Sequence, residues 1–272
     1  MKTTVSRTPL HTVRLGHGFW LLAALICVVA SACSHTTPTR PQQPWSNARQ
    51  LVLVVTDDWN ADHGVLRTYE RTGAGWRETG KQEPVTVGRN GSAWGAGLHT
   101  RISTAGPDKR EGDGRSPAGV FAIGSAFGYA DTSSSALPYQ PMQQSDFCMD
   151  VSTSPLYNRI VDADEVGAAA VAGSTEPMRL DLHNAGDQRY RLGFVIEHNA
   201  AAQAGAGSCI FAHLWKQPGQ ATAGCTAMAD QTMARLLGWL RADAHPVFVL
   251  LPRDTYRSLQ REWQLPALVT GP

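Results

Sequence analysis

Hydrophobic residues in this 272-residue chain either alternate with polar ones or cluster in short runs, which is typical of β-strands. Residues 51–56 form an unbroken apolar run, and residues 64–70 alternate as a half-buried strand does. Further strands are predicted at residues 75–79, 84–88, 119–123, 192–197, 209–215 and 246–251. Two segments have the spacing of amphipathic helices, residues 230–241 and 254–263. The pattern therefore predicts a mainly β fold with a few flanking helices.

Residues 130–190 interrupt this pattern and are rich in Ser, Asp and Pro. Long irregular stretches inside compact domains are often functional, so we expect this segment to shape a substrate cleft. The chain shows neither an internal repeat nor a second linker that would divide it. We therefore predict that residues 48–272 form one domain, the catalytic one.

The first 33 residues are predicted to be a signal peptide and not part of the fold. Three basic residues precede an apolar stretch at residues 19–30, which is too short to span a bilayer comfortably. The stretch ends in Ala-Ser-Ala before Cys33, which resembles a lipoprotein signal with Cys33 as the lipidated first residue. Ordinary cleavage nearby, or an uncleaved anchor, is the alternative.

Either processing route places the mature protein outside the cytoplasm. Ser34 carries no acidic retention signal for the inner membrane, which favours a periplasmic protein anchored to the outer membrane. Residues 34–47 are rich in Thr, Pro and Gln and are predicted to be a flexible tether. Three of the 24 basic residues lie in the leader, which leaves 21 against 23 acidic residues. This balance gives no electrostatic case for nucleic-acid binding.

Five cysteines fit an oxidising compartment. With Cys27 and Cys33 in the leader, Cys148, Cys209 and Cys225 remain in the domain. Three thiols in an exported protein suggest one disulfide and one reserved cysteine, and a Cys148–Cys209 bond would leave Cys225 free. The alternative is that all three are reduced. No CxxC, HxH or HExxH spacing occurs in the sequence, so we expect no metal site.

The strongest chemical signal combines Cys225 with His213, twelve residues upstream at the end of an apolar run. Pro218-Gly219 between them predicts that the chain doubles back and places the two residues on neighbouring strands. An imidazole there can take the proton of a thiol, which attacks as the thiolate. Gly224 has no side chain, so its backbone is a candidate to approach an acyl donor and stabilise the oxyanion. The pair predicts a cysteine acyl-transfer enzyme with His213 as the base.

The segment from Gly207 to Trp215, followed by Pro218 to Met228, resembles the catalytic segment of the YkuD-type L,D-transpeptidases. It is most similar to a branch with the motif T-x-G-C-T-A-M. Other segments of this chain also resemble that branch: residues 88–91, 94–95, 109–119, 128–129, 157–158 and 197–199. The resemblance implies a β-sandwich or barrel-like domain, a periplasmic location, peptidoglycan stem peptides as substrate and no cofactor. It also implies that Cys225 carries the acyl group.

The sequence departs from the commoner motif of that family in ways that affect substrate recognition. Ala223 stands where a histidine is usual, and Thr226 replaces the Arg or Asn that often follows the cysteine. Leu214 follows the histidine in place of Gly or Ser, so we expect a backbone carbonyl to orient the imidazole. Four weaker candidates for binding the stem peptide lie elsewhere in the sequence: Lys109, Arg115, His198 and Tyr157.

The resulting hypothesis is a lipid-anchored peptidoglycan L,D-transpeptidase that makes 3-3 or 1-3 crosslinks through a cysteine acyl-enzyme. One alternative is an L,D-carboxypeptidase or endopeptidase, in which water takes the acyl group at the same Cys–His site. The other is a non-catalytic, lipid-anchored peptidoglycan-binding protein with a degenerate site.

Overall fold

The computed structural model describes residues 42–100 and 105–268. The predicted signal peptide and the first part of the predicted tether, residues 34–41, lie outside the described residues. The strands, in chain order, are β1 (Gln50–Thr56), β2 (His63–Thr72), β3 (Gly75–Thr86), β4 (Ser92–Trp94), β5 (Ser116–Gly128), β6 (Tyr139–Pro141), β7 (Asp146–Cys148), β8 (Ile160–Asp162), β9 (Glu176–Pro177), β10 (Leu192–Ile196), β11 (Phe211–Leu214), β12 (Thr226–Met228) and β13 (Val247–Pro252). The helices are α1 (Ala163–Val166), α2 (Leu180–His183), α3 (Asp230–Trp239) and α4 (Arg253–Leu259).

Eight of the strands close into a barrel-like sheet in the order β10-β11-β12-β3-β2-β1-β13-β5, and β5 pairs with β10 to complete the ring. β4 and β6 pair with the two ends of β5. The predicted mainly β, barrel-like architecture is therefore confirmed. α3 and α4 are the two helices that the periodicity predicted, and α4 ends at Leu259, four residues earlier than expected.

The main core fills the inside of this sheet. Every residue of β1 and of β13 is buried, as their unbroken apolar sequences require. α3 adds its apolar face to the same core through Met233, Leu236 and Leu237. Within the described residues, no helix is long and apolar enough to cross a membrane.

The two predicted strands at residues 75–79 and 84–88 are one continuous strand, β3. Its register against β2 shifts between the partners of Leu66 and Thr68, where β3 carries extra residues. Gly80 lies in this bulge with φ of 72°, a conformation that glycine adopts without strain. The polar residues that suggested a break therefore form a bulge, and the strand continues through it.

The predicted tether ends earlier than residue 47. Trp45 is 2% exposed, its ring lies 5.5 Å from the ring of Trp263, and its Nε1–H donates to the Trp263 carbonyl. A single large aromatic residue in a polar, Pro-rich segment is enough to bind that segment to the core, because its burial removes much apolar surface from water.

Residues 139–191, which we call the cover segment, fold against the outside of the barrel. They contain β6, a small sheet in the order β8-β7-β9, and the short helices α1 and α2. A second apolar cluster lies between the cover segment and the barrel: Phe127, Met142, Cys148, Met178, Leu180, Tyr190, Cys209, Phe211 and Cys225. The segment that looked irregular in sequence is therefore the lid of the candidate cysteine site.

A disulfide between Cys148 and Cys209 links the cover segment to the start of β11 and closes a loop with a sequence separation of 61 residues. Such a loop restricts the unfolded chain, which corresponds to about 4 kcal/mol of stabilisation in the chain-entropy model.

The double variant Cys148→Ser/Cys209→Ser is expected to lose about 4 kcal/mol of unfolding free energy, because its unfolded chain is no longer crosslinked. Urea denaturation followed by tryptophan fluorescence measures this loss. Addition of a reductant should destabilise the wild-type protein and leave the double variant unchanged. Equal denaturation midpoints for the two proteins would show that the bond contributes nothing.

Candidate active site

Cys225 lies directly before β12, and two hydroxyl groups fix its main chain. Ser116 Oγ, at the start of β5, donates to the Cys225 carbonyl at 2.9 Å, and Thr222 Oγ1 donates to the same carbonyl at 2.6 Å. The backbone N–H of Thr222 donates to the carbonyl of Val87 at 2.9 Å. These contacts hold the cysteine loop against β5 and against the chain that follows β3.

His213 lies on β11, the strand next to β12. The two strands are neighbours, as predicted, but they are parallel, with Ala212 opposite Thr226 and His213 opposite Ala227. The chain does turn back between them: residues 215–225 return it to the beginning of β11, so that β12 runs alongside β11 in the same direction.

This register puts Cys225 level with Phe211 and two residues short of His213, about 7 Å along the strand. Side chains alternate between the two faces of a strand. Ala212 and Leu214 point into the main core, and Phe211 belongs to the cluster under the cover segment. Cys225 and His213 consequently share the outer face of the barrel.

The thiol and the imidazole each bond to backbone groups in this structure. Cys225 Sγ accepts the N–H of Phe211 at 3.3 Å and donates to the carbonyl of Cys209 at 3.4 Å. His213 Nδ1 lies 2.7 Å from the carbonyl of Leu214. A carbonyl only accepts, so Nδ1 carries the proton and Nε2 is the basic nitrogen. The expected backbone carbonyl therefore does orient the imidazole, and among the described residues no hydrogen bond joins it to the thiol.

Burial favours the neutral form of both groups. Burial, and next the charge of Glu176, raises the pKa of the Cys225 thiol to about 12, and the Phe211 N–H and the Arg189 cation oppose this shift. Burial also lowers the pKa of His213 to about 4, against the Leu214 carbonyl, which favours the charged ring. The resting site therefore holds an uncharged thiol beside an uncharged base.

Tyr190 and Glu176 are residues at this site that sequence reasoning missed. The ring of Tyr190 packs edge-on against the rings of His213 and Phe211, at 5.3 and 5.6 Å between centroids. Its hydroxyl donates to Glu176 on β9, and burial raises the pKa of that carboxyl to about 7. Both belong to the cover segment, whose sequence has no periodicity that would have assigned them.

Gly224 is placed differently from the sequence prediction. Its N–H donates to Thr222 Oγ1 at 3.1 Å, so this amide is occupied. A Cβ at Gly224 would lie 3.2 Å from the carbonyl oxygen of Arg115 and 3.5 Å from Ile210. The missing side chain therefore allows the cysteine loop to approach the start of β5, and it does not open space for an acyl donor.

Lys109 does not present its charge to a cleft. Its ammonium group bonds to the Asp113 carboxylate and to the Arg110 carbonyl, both at 2.6 Å, and its side chain is almost completely buried. Since the charge is paired inside its own loop, Lys109 stabilises that loop. Sequence spacing alone could not show that Asp113 neutralises the lysine.

Arg115 is also used internally. Its Nη1 donates to the carbonyls of Trp59 and Ser92 at 2.9 and 3.0 Å, and its Nη2 donates to the Asn60 side chain at 3.0 Å. The guanidinium thus joins the turn after β1 to β4. The structure gives it a role in holding backbone and leaves a role in holding stem-peptide carboxylates without support.

His198 and Tyr157 are buried as well. His198 Nε2 lies 3.0 Å from the Ala206 carbonyl, and burial lowers the pKa of the ring to about 4. The Tyr157 hydroxyl donates to Glu111, which also accepts the hydroxyl of Ser208 at 2.7 Å. These contacts join the loops that precede β11, so both residues stabilise the chain that leads into this strand.

Cysteine pairing leaves one thiol at the site. Cys148 and Cys209 form the disulfide, with an S–S distance of 2.05 Å, and Cys225 is the free cysteine among the described residues. Cys33, the predicted lipidation site, lies outside the described residues. Within residues 42–100 and 105–268, no three His, Cys, Asp or Glu side chains come together as metal ligands.

The cavities in the described residues differ in their relation to this site. One of about 400 Å³ lies between β2, β3 and α3 and contains neither residue of the candidate pair. One of about 330 Å³ is lined by Cys209 and Phe211, the backbone partners of the thiol. A recess of about 30 Å³ is lined by His213 itself, with Arg189 and Lys216. The last two cavities therefore border the thiol and the imidazole.

The alkylation rate of Cys225 by iodoacetamide is expected to rise about tenfold per pH unit from pH 8 to 10 without a plateau, because its thiol has a pKa of about 12. Quenched mass spectrometry of the peptide that contains Cys225 gives the rate. Denatured protein serves as the control and should level off near the ordinary thiol pKa. A plateau below pH 8 in the folded protein would contradict a neutral resting thiol.

Comparison with known families agrees with this geometry. The model of the L,D-transpeptidase catalytic domain, YkuD, matches residues 60–249, which include most of the barrel, the cover segment, His213 and Cys225. No curated protein and no solved structure matches the chain. The match spans more than half of the chain, and with it the chain belongs to the YkuD family of L,D-transpeptidase catalytic domains.

Proposed function

We propose that this protein is a peptidoglycan L,D-transpeptidase that crosslinks stem peptides through an acyl-enzyme on Cys225. The observation that carries the proposal is the arrangement of the free thiol and His213 on one face of two paired strands, with Nε2 as the basic nitrogen. Membership of the YkuD family supports stem peptides as the substrate.

In the first half-reaction, Cys225 Sγ attacks the carbonyl carbon of a donor stem while its proton passes to His213 Nε2. The C–N bond then breaks, the leaving amine takes the proton from His213, and a thioester remains. In the second half-reaction, an acceptor amine attacks the thioester and gives its proton to His213. The sulfur leaves and recovers that proton, so that a new amide bond is formed and the enzyme is regenerated.

The enclosure of the site supports an amine as acceptor over water. Cys225 is 9% exposed and His213 is 3% exposed, and both lie under the cover segment. A site that excludes water protects a thioester from hydrolysis. Transfer to an amine brought in by a second stem peptide is therefore the outcome that we propose.

Sacculi incubated with the wild-type protein are expected to gain 3-3 or 1-3 crosslinks, because the Cys225 thioester is passed to a second stem. Cys225→Ala should abolish this gain, and His213→Ala should slow it by about 10²- to 10⁴-fold, the usual contribution of a general base. His63→Ala changes an exposed histidine on β2 and is the matched control. Mapping the muropeptides by mass spectrometry measures all four proteins.

Other products from these sacculi would indicate the alternative functions. Shortened or separated stems without new crosslinks would indicate carboxypeptidase or endopeptidase activity in place of transfer. Unchanged muropeptides together with retention of the protein on sacculi would indicate a binding protein and contradict catalysis.

We further propose that Cys33 carries a lipid anchor that holds the domain in the periplasm at the outer membrane, since small residues and an apolar stretch precede it. Cys33→Ala is expected to lose a metabolically incorporated palmitate label and to leave the membrane fraction. Cys27→Ala, six residues earlier in the same leader, is the control and should keep both. Retention of the label by Cys33→Ala would contradict lipidation at this residue.

A further inference from the structure

The recess beside His213 lies where β10 begins and β11 ends. Gly193 on β10 pairs antiparallel with His213, so the 3-10 turn at Arg189–Arg191 and the residues after β11 meet at one end of the sheet. Arg189 and Lys216 line the recess together with residues 220–222 and Ala227. Its volume of about 30 Å³ accommodates two water-sized atoms, which is the size of a carboxylate head group.

The two cations at this recess share one carboxylate between them. Arg189 uses Nε and Nη2 on Asp187, at 2.9 and 2.8 Å, and among the described residues Nη1 makes no hydrogen bond. Lys216 Nζ stands 3.8 Å from the same carboxylate, within ion-pair range but beyond hydrogen-bonding distance. The side chain of Asp187 is 2% exposed, whereas those of Arg189 and Lys216 are 30% and 49% exposed. N–H groups of both cations therefore remain available to a ligand.

The remaining carboxyl group near Arg189 is already engaged. Glu176 accepts the hydroxyl of Tyr190, and its raised pKa of about 7 means that it is only partly ionised at neutral pH. It is also not among the residues that line the recess. The recess consequently has an excess of positive charge, which favours an anionic group.

The order of the groups along the sheet matches the order of atoms in a peptide donor. The attacking sulfur is level with Phe211, the base lies two residues further along, and Lys216 follows three residues after His213. In the donor, the attacked carbonyl is followed by the leaving nitrogen. If the leaving residue is the last of its peptide, one carbon separates that nitrogen from a free carboxylate. With the nitrogen at His213, this carboxylate would point toward Arg189 and Lys216.

We propose that Arg189 and Lys216 form a carboxylate subsite that binds the free C-terminal carboxylate of the leaving residue. The inference rests on the proposed function and adds to it the residues that would hold the leaving end of the donor. Arginine and lysine hold carboxylates through charge-assisted hydrogen bonds.

The test uses two synthetic stem peptides that differ only in a C-terminal carboxylate or carboxamide. Release of the leaving residue, measured by chromatography, gives kcat/KM for acylation of Cys225. The wild-type enzyme is expected to prefer the carboxylate by about 10- to 100-fold, the effect of a hydrogen bond to a charged group. Lys216→Gln and Arg189→Gln should each reduce this preference, mainly through KM for the carboxylate. Arg189→Gln should in addition slow both peptides by a common factor, because the arginine cation lowers the pKa of the Cys225 thiol.

A control variant, a second test variant and two contrary outcomes make the test decisive. Arg191→Gln, which removes a nearby arginine paired with Asp230, should keep the full preference. Lys216→Gln carries the test if Arg189→Gln fails to fold, because Lys216 is half exposed. Acylation by both peptides at equal rates, or equal slowing of both by the variants, would overturn the subsite and leave the transpeptidase proposal intact. Acylation by neither peptide would overturn both.

Discussion

The parallel pairing of β11 with β12 is the constraint on which the candidate site depends. Because the side-chain repeat of a strand is two residues, a shift by one residue would turn Cys225 or His213 from the outer face toward the main core. The hydroxyls of Ser116 and Thr222 fix the carbonyl of Cys225 and so prevent this shift at the residue where it would matter. Register, rather than a direct bond between the two side chains, brings thiol and base together.

The same burial that holds the pair in place keeps it uncharged. A thiol with a pKa of about 12 and an imidazole with a pKa of about 4 do not exchange a proton in the resting state. Proton transfer must therefore accompany attack on the substrate, when the developing charges are spread over sulfur, substrate and imidazole. A thiol of this kind is unreactive toward small electrophiles at neutral pH.

Local sequence patterns predicted the barrel and the proximity of Cys225 to His213 because each depends on short-range signals. The apolar run of β1 and the histidine at the end of the β11 run are examples. The parallel direction of β12 could not be predicted, since a Pro-Gly turn indicates that the chain bends and does not say how far it travels before pairing. Tyr190 and Arg189 could not be assigned, because they come from the cover segment and only the folded chain brings them to His213. Lys216, two residues after the end of β11, was the one sign in the sequence of a cation at this place.

The bond between Cys148 and Cys209 also makes the candidate site depend on its redox surroundings. It links the cover segment to the chain before β11, and the carbonyl of Cys209 is itself a hydrogen-bond partner of the Cys225 thiol. Reducing surroundings keep cysteines unpaired, so a chain in such surroundings lacks this link. Completion of the pocket is thus coupled to oxidation of two thiols that take no part in the proposed chemistry.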